Sequence, residues 1–253
     1  MSEQFSRRTS DKHPVVIFDL DGTLVHDRPD EVTGRLWDLA IEQGVMHASD
    51  EEIERLRQLR DTYGDCTDDS RQHYLMPLIK AFDTHLHHKD VAAIDSLAKD
   101  LVVADSKHQL LYDEVLDEAR PWQEQGATTI IISGSPNFYI KPFARTYDFK
   151  IATGPRHTHN GNNYRPLPAV SRAKEKHLVA EKMLQKVSEK LGTRAYLAAA
   201  YGDTVNDLSL LEAAHEPVAI NPKNGLASIA AAQHYRVIIP QNATQGARPN
   251  LVS

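Results

Sequence analysis

The stretch VVIFDLDGTLV, residues 15–25, runs from an apolar segment straight into two acids separated by one leucine, then reaches a glycine. Successive side chains of an extended strand point to opposite sides, so Asp19 and Asp21 project together while Leu20 points away. Carboxylates this close cannot both stay ionised cheaply unless a cation neutralises them or one keeps a proton. The pair therefore points to bound metal, a shared proton, or both. Gly22 permits a sharp turn that frees backbone N–H groups to face an anion. An isolated Asp-x-Asp is equally well read as a strand end whose acids cap a turn, so the rest of the chain has to decide.

Three further segments bear on it. In TTIIISGSP, residues 128–136, Ser133 emerges from an apolar run and Gly134 lets the backbone approach a ligand. A hydroxyl and free N–H groups suit phosphate oxygens, although a Ser-Gly turn alone is ordinary. In YLAAAYGDTVNDLSLLEAA, residues 196–214, a strand gives way to Gly202, Asp203 and Asp207 before a helix. Such oxygen ligands suit Mg²⁺, a hard ion that takes a few carboxylates together with water and phosphate. Asp203 or Thr204 alone would also serve as a helix cap. Between these two lies SRAKEKHLVAEKM, residues 171–183, a lysine-rich helix start. One lysine held over the sheet end would supply the positive charge that a phosphate dianion needs. Spacing alone does not choose between Lys174 and Lys176.

Apolar runs at 15–18, 128–132, 196–201 and 217–220, with weaker ones near 149–152 and 235–239, alternate with helical stretches. That alternation predicts an α/β fold with a largely parallel sheet, whose ligands gather beyond the carboxyl ends of the strands. More than a hundred residues separate the first two strands, too many for one crossover. Within them Ile53, Leu56, Leu59 and Tyr63, then Leu75, Leu78, Ile79, Phe82 and Leu86, then Val91, Ile94, Leu97 and Leu101 recur at helical spacing. These are read as packing faces of a small helical lobe at 27–104, with Pro77 kinking or delaying its middle helix. The expected organisation is a flexible segment at 1–13, an α/β core at 14–26 and 105–240, the helical lobe, and a loose polar tail at 241–253. Asn160-Gly161 reads as a tight turn.

A net charge of −6 gives no general attraction for nucleic acid or an anionic membrane. Cys66 is the single cysteine, which excludes an internal disulfide framework and a cysteine-based zinc site. The polar start, MSEQFSRRTSDKH, has no signal-peptide apolar segment, so a cytoplasmic protein is expected. His85, His87, His88, His157 and His159 lack partners at metal-ligand spacing and are read as a solvated helix end and a polar loop.

In order and separation, DLDGT, ISGSP, the lysine and GDTVND resemble the four motifs of the haloacid dehalogenase superfamily. The segments ISGSP, YGDTVNDLSLLEAA and PVAINPKNGLASIA resemble its phosphoserine phosphatase-like branch, whose helical cap is inserted after the first motif. The resemblance implies a Rossmann-like sheet flanked by helices under an all-helical cap, and a Mg²⁺-dependent phosphatase acting on a small phosphorylated metabolite. It makes Asp19 the nucleophile that becomes an aspartyl-phosphate and Asp21 the acid/base. It assigns Mg²⁺ to a carboxylate oxygen of Asp19, the main-chain carbonyl of Asp21 and the carboxylate of Asp203, with Asp207 binding or orienting the ion's water shell. Ser133 and the Gly134 N–H would hold phosphoryl oxygens, and Thr23 would support the loop or phosphate. Lys174, with Leu178 four positions on, fits the family's lysine, and Lys176 is the reserve. Phosphoserine phosphatases usually carry a serine at the position of Gly22, a glutamate near Arg28 and Ser-Gly-Gly where Ser133-Gly134-Ser135 stands here. His26, Asp27 and Arg28 could each contact a leaving group, but are read as exposed loop residues. Phosphoryl transfer to another hydroxyl, or phosphate and Mg²⁺ binding without turnover, are the competing readings.

Overall fold

The computed structural model describes residues 12–27, 31–63, 68–164 and 176–244. Arg28, Cys66 and Lys174 lie outside them. Strands β1 (Lys12–Phe18), β2 (Thr128–Ile132), β3 (Ile151–Thr153), β4 (Arg194–Gly202), β5 (Glu216–Ile220) and β6 (Arg236–Ile238) form one parallel sheet in the order β3-β2-β1-β4-β5-β6. Each apolar run of the sequence is a strand. β1 starts earlier than its apolar stretch, with Lys12 paired to Arg194 and His13 to Ala195, so the first segment ends before residue 13.

The strands read as unbroken apolar runs because both faces are covered. Val16 and Phe18 join one hydrophobic cluster, Val15 and Ile17 the other, and all four are fully buried. The first face carries the inserted helices α1 (Val32–Glu42), α2 (Asp50–Tyr63), α3 (Asp68–Leu86) and α4 (Val91–Lys107), followed by α5 (Asp113–Glu124) and α6 (Asn137–Thr146). The second carries α7 (Lys176–Leu191), α8 (Leu208–Ala213) and α9 (Asn224–Ala232).

The expected stripes are the packing faces. Leu56 of α2, Leu78, Phe82 and Leu86 of α3, and Ile94, Leu97 and Leu101 of α4 are buried in the cluster that includes Phe18. Helix α3 begins at Asp68 and runs through Pro77, so the proline does not delay it. The lobe boundary expected at 104 falls inside α4. The next residue explains why, since Asp105 is fully buried and receives Arg35 Nε at 3.0 Å and Nη2 at 3.1 Å, together with the Tyr139 hydroxyl at 2.6 Å. Helices α1, α4 and α6 are thus tied by one buried charged knot.

Asn160-Gly161 forms the expected turn, with Gly161 at φ +107° and an antiparallel bridge between His159 and Tyr164. The turn docks on the lobe, where the Val91 N–H donates to Asn162 O at 2.7 Å and the Tyr164 N–H to Lys89 O at 3.0 Å. The tail does not start loose. Gln241–Thr244 make a 3₁₀ turn, with the Gln241 N–H on the Glu114 carboxylate at 2.9 Å and the Asn242 amide on Leu111 O at 2.7 Å. No helix among the described residues is long and apolar enough to cross a membrane.

The connections after β1 lead outward through β2 to β3, then return so that β4 lies on β1's other side. This reversal opens a crevice at the carboxyl ends of β1, β2 and β4. Asp19, Ser133 and Asp203 are the first residues past those three strands.

Candidate active site

The Asp19 N–H donates to Tyr201 O at 3.0 Å, which extends the β1–β4 ladder by one residue and anchors the acid at the crevice. The chain then coils tightly, the carbonyl of Leu20 accepting from the N–H groups of Thr23, Leu24 and Val25 at 2.8–3.1 Å. Gly22 sits at φ +80°, and a Cβ there would stand 2.2 Å from Asp203 Oδ2. Both facts require glycine.

After β4 the chain turns back on itself. Asp207 Oδ2 accepts from the N–H groups of Asp203 at 3.3 Å and Thr204 at 3.2 Å and from the Thr204 hydroxyl at 3.2 Å. Capping and site-building are thus one arrangement rather than rival readings. A Cβ on Gly202 would lie 2.5 Å from that of Asp207, so glycine lets the acid fold in. The other oxygen, Asp207 Oδ1, receives Lys176 Nζ at 2.6 Å, and the same ammonium lies 2.7 Å from Asp19 Oδ1. Lys176, the reserve of the two lysines, is therefore the one bonded to Asp19 and Asp207.

Asp19, Asp203 and Asp207 are buried and offer carboxylate oxygens within 4.8 Å of one another. Asp21 does not join them through its side chain. Its Oδ2 accepts from the Ser135 hydroxyl at 2.6 Å and the Ser133 hydroxyl at 3.3 Å, and its Oδ1 accepts from the Val32 N–H at 2.8 Å. Burial, and behind it Asp207 and Asp203, push the Asp19 carboxyl well above the usual carboxylate range, while Lys176 pulls it down. Burial would depress the Lys176 ammonium, but Asp19 and Asp207 outweigh it and hold the charge on.

A second lysine completes the site. Lys223 Nζ lies 2.8 Å from Asp203 Oδ2 and also contacts Asp27. Four carboxylates thus face two ammonium groups in these contacts. The excess negative charge and the hard oxygen donors fit a divalent cation such as Mg²⁺.

Ser133 is held by its N–H on Thr153 O at 3.2 Å, and its Oγ accepts from the Ser135 N–H at 2.9 Å. Gly134 is exposed and faces open space. With Thr153, Gly154, Lys176 and Val179 these two line an open cleft. A Cβ on Gly154 would meet Ser135 O at 2.5 Å, so this glycine lets the loop after β3 pass beneath the serine turn. Thr23 is fully buried, and its Oγ1 has no hydrogen-bond partner among the described residues.

Several loop residues differ from expectation. His26 and Asp27 are buried, not exposed, because this segment runs under the lobe against Tyr112 and Lys223. His157 is partly buried beside Phe138 and bonds Asp83 at 3.0 Å, and His85 bonds Glu52 at 2.8 Å. Neither is a solvated residue, and no histidine joins the acid cluster among the described residues. Lys223, Ser135, Arg35 and Asp105 carry no role in the sequence reading. The one signal for Ser135 is its departure from Ser-Gly-Gly.

The family model for haloacid dehalogenase-like hydrolases matches residues 16–212. The histidinol-phosphatase of Neisseria meningitidis serogroup C is 25% identical over 230 residues, covering 82% of this chain and 90% of that protein. Protein CicA of Caulobacter vibrioides is 34% identical over 110 residues, covering 42% of this chain, so the match spans about half of CicA's length, 46%. Among solved structures, a protein of unknown function from Bordetella pertussis Tohama I superposes with a TM-score of 0.67 at 23% identity, covering 90% of this chain and 98% of that one. That likeness shows the fold.

Proposed function

The chain belongs to the haloacid dehalogenase-like hydrolases, and on that premise we propose that it is a Mg²⁺-dependent phosphatase of small phosphomonoesters working through an aspartyl-phosphate. The observation that carries this reading is the division of labour around Lys176. Its ammonium fixes Asp19 Oδ1 beside Asp203 and Asp207, while Asp21, two residues on, is engaged by Ser133 and Ser135.

In the first step a carboxylate oxygen of Asp19 bonds to phosphorus as the ester P–O bond breaks, and Asp21 gives its proton to the departing alkoxide. In the second, Asp21 takes a proton from the water that attacks the aspartyl-phosphate, releasing phosphate and restoring both acids. Lys176 keeps Asp19 aimed and offsets the charge it shares with Asp207. Ser133 and the Gly134 N–H hold phosphoryl oxygens at the cleft. Asp19, Asp203, Asp207 and the Asp21 carbonyl would hold Mg²⁺, which would offset the negative charge that the nucleophile and the phosphate bring together.

The kinship with a histidinol-phosphatase over most of both chains supports an alcohol phosphate as substrate, with histidinol phosphate the first candidate and phosphoserine the second. The test is phosphate release from a panel of metabolite phosphates and p-nitrophenyl phosphate, with and without EDTA, in ¹⁸O-labelled water. Metal-dependent release of labelled phosphate, abolished by Asp19→Asn, is the expected result. Transfer to an added alcohol with no label in phosphate would make the chain a phosphotransferase, and no turnover of any ester would reduce it to a binding protein.

A further inference from the structure

We infer that Ser135 is the positioning residue of the acid/base, holding the Asp21 carboxyl through both halves of the reaction. This rests on the phosphatase reading above and adds to it a residue that has no role in the sequence reading.

Helix α6 starts at Asn137 with Pro136 at its N-cap, and the hydroxyl of Ser135, one residue earlier, goes to Asp21 Oδ2 at 2.6 Å, the shortest of that carboxylate's three contacts. Ser135 is 3% exposed and Asp21 7%, so water does not substitute freely.

The three contacts are not equivalent. The Val32 N–H can only donate, so it favours the carboxylate and not the carboxylic acid. Ser133 accepts from the Ser135 N–H, and in the proposed reaction its hydroxyl turns to a phosphoryl oxygen. Ser135 alone has a hydroxyl with no second duty. A hydroxyl donates to a carboxylate and accepts from a carboxylic acid. It therefore holds Asp21 when the proton is on, before it passes to the leaving oxygen, and when the proton is off, before water is deprotonated. The Gly134 side of the turn stays open to phosphate, while the Ser135 side is packed down by Gly154, whose missing Cβ would strike Ser135 O.

The consequence is a dependence on leaving group. p-Nitrophenolate departs without a proton, whereas phenolate from the similarly shaped phenyl phosphate needs one. In single turnovers of the Mg²⁺-loaded enzyme, Ser135→Ala is expected to slow phenol release from phenyl phosphate roughly tenfold or more, up to the ~10²–10⁴-fold worth of general acid catalysis. Release of p-nitrophenol in the same experiment should change less than about threefold, whereas steady-state kcat falls for both esters because water deprotonation also depends on Asp21. Ser135→Thr, which keeps the hydroxyl, should restore phenyl phosphate turnover, and Ser135→Gly serves as a second hydroxyl-free variant if the alanine protein folds poorly. Equal losses in the release step of both esters, a change confined to KM, or no loss would overturn this inference and leave the phosphatase reading intact. Wild-type enzyme that hydrolyses neither ester would overturn both.

Discussion

Gly22 and Asp203 come so close that a single methyl group on the glycine would stand 2.2 Å from the acid's Oδ2. The first motif loop and the strand-end acid of β4, 181 positions apart in sequence, are therefore packed as one body, and their fit is testable. Gly22→Ala adds both this clash and a left-handed backbone cost of about 1–2 kcal/mol. Turnover should fall at least ~100-fold, as for loss of a major electrostatic element of a site. In thermal melts with Mg²⁺ titrated in, the stabilisation by the ion should shrink or vanish. Retention of both properties would show that the loop relaxes without disturbing the acids.

Lys176 is surrounded by carboxylates that it alone does not neutralise. Lys176→Met leaves Asp19 and Asp207 buried without that ammonium, a change worth roughly 3–5 kcal/mol when one partner of a buried pair is removed. Denaturant melts of metal-free protein should show such a loss, and kcat should fall at least ~100-fold. Lys174→Met should leave kcat within about threefold. Equal damage from both variants would contradict the assignment of the site lysine.

The knot of Arg35, Asp105 and Tyr139 fastens the inserted helices to α6. The Arg35 guanidinium keeps its charge because Asp105 outweighs the burial that opposes it. Asp105→Asn strands that charge and should cost roughly 3–5 kcal/mol in urea unfolding. Tyr139→Phe removes one hydrogen bond to a charged acceptor and should cost about 1.5–3 kcal/mol. The ranking is the test, and a tyrosine variant weaker than the asparagine variant would refute the ion pair as the main tie.

His26 predicts a pH effect. Burial lowers its pKa from the ordinary histidine value of 6.5, so the folded protein binds a proton less readily than the unfolded chain. This contribution is whole above pH 6.5 and is lost as pH falls through the lower folded-state value. Urea midpoints of wild type and His26→Gln measured from pH 7.5 downward should converge on acidification. Parallel curves would show that His26 does not titrate differently on folding.

How much of this was legible in the sequence follows from the range over which its signals act. The six strands were readable because burial on both faces makes each a local apolar run, and β3 and β6, three residues each, were weakest because they lie at the sheet edges. The lobe helices were readable from stripes such as Ile94, Leu97 and Leu101. The boundary at 104 was not, because what makes Asp105 part of the knot is Arg35, 70 positions away. His26 and Asp27 look like loop residues to any local rule, and only the docking of Tyr112 and Lys223 buries them.

The sequence by itself determined the parallel α/β sheet, the inserted helical lobe and which strand ends carry acids, because alternation, helical period and strand-end polarity are properties of neighbouring residues. The tertiary structure decided which lysine serves Asp19, that Asp21 turns to Ser135, and that Lys223 joins Asp203. Sequence spacing does not say which of two nearby lysines a distant acid will meet, and a hydroxyl or ammonium acquires its role from charges that reach it only when separate strands stop at the same edge of the sheet.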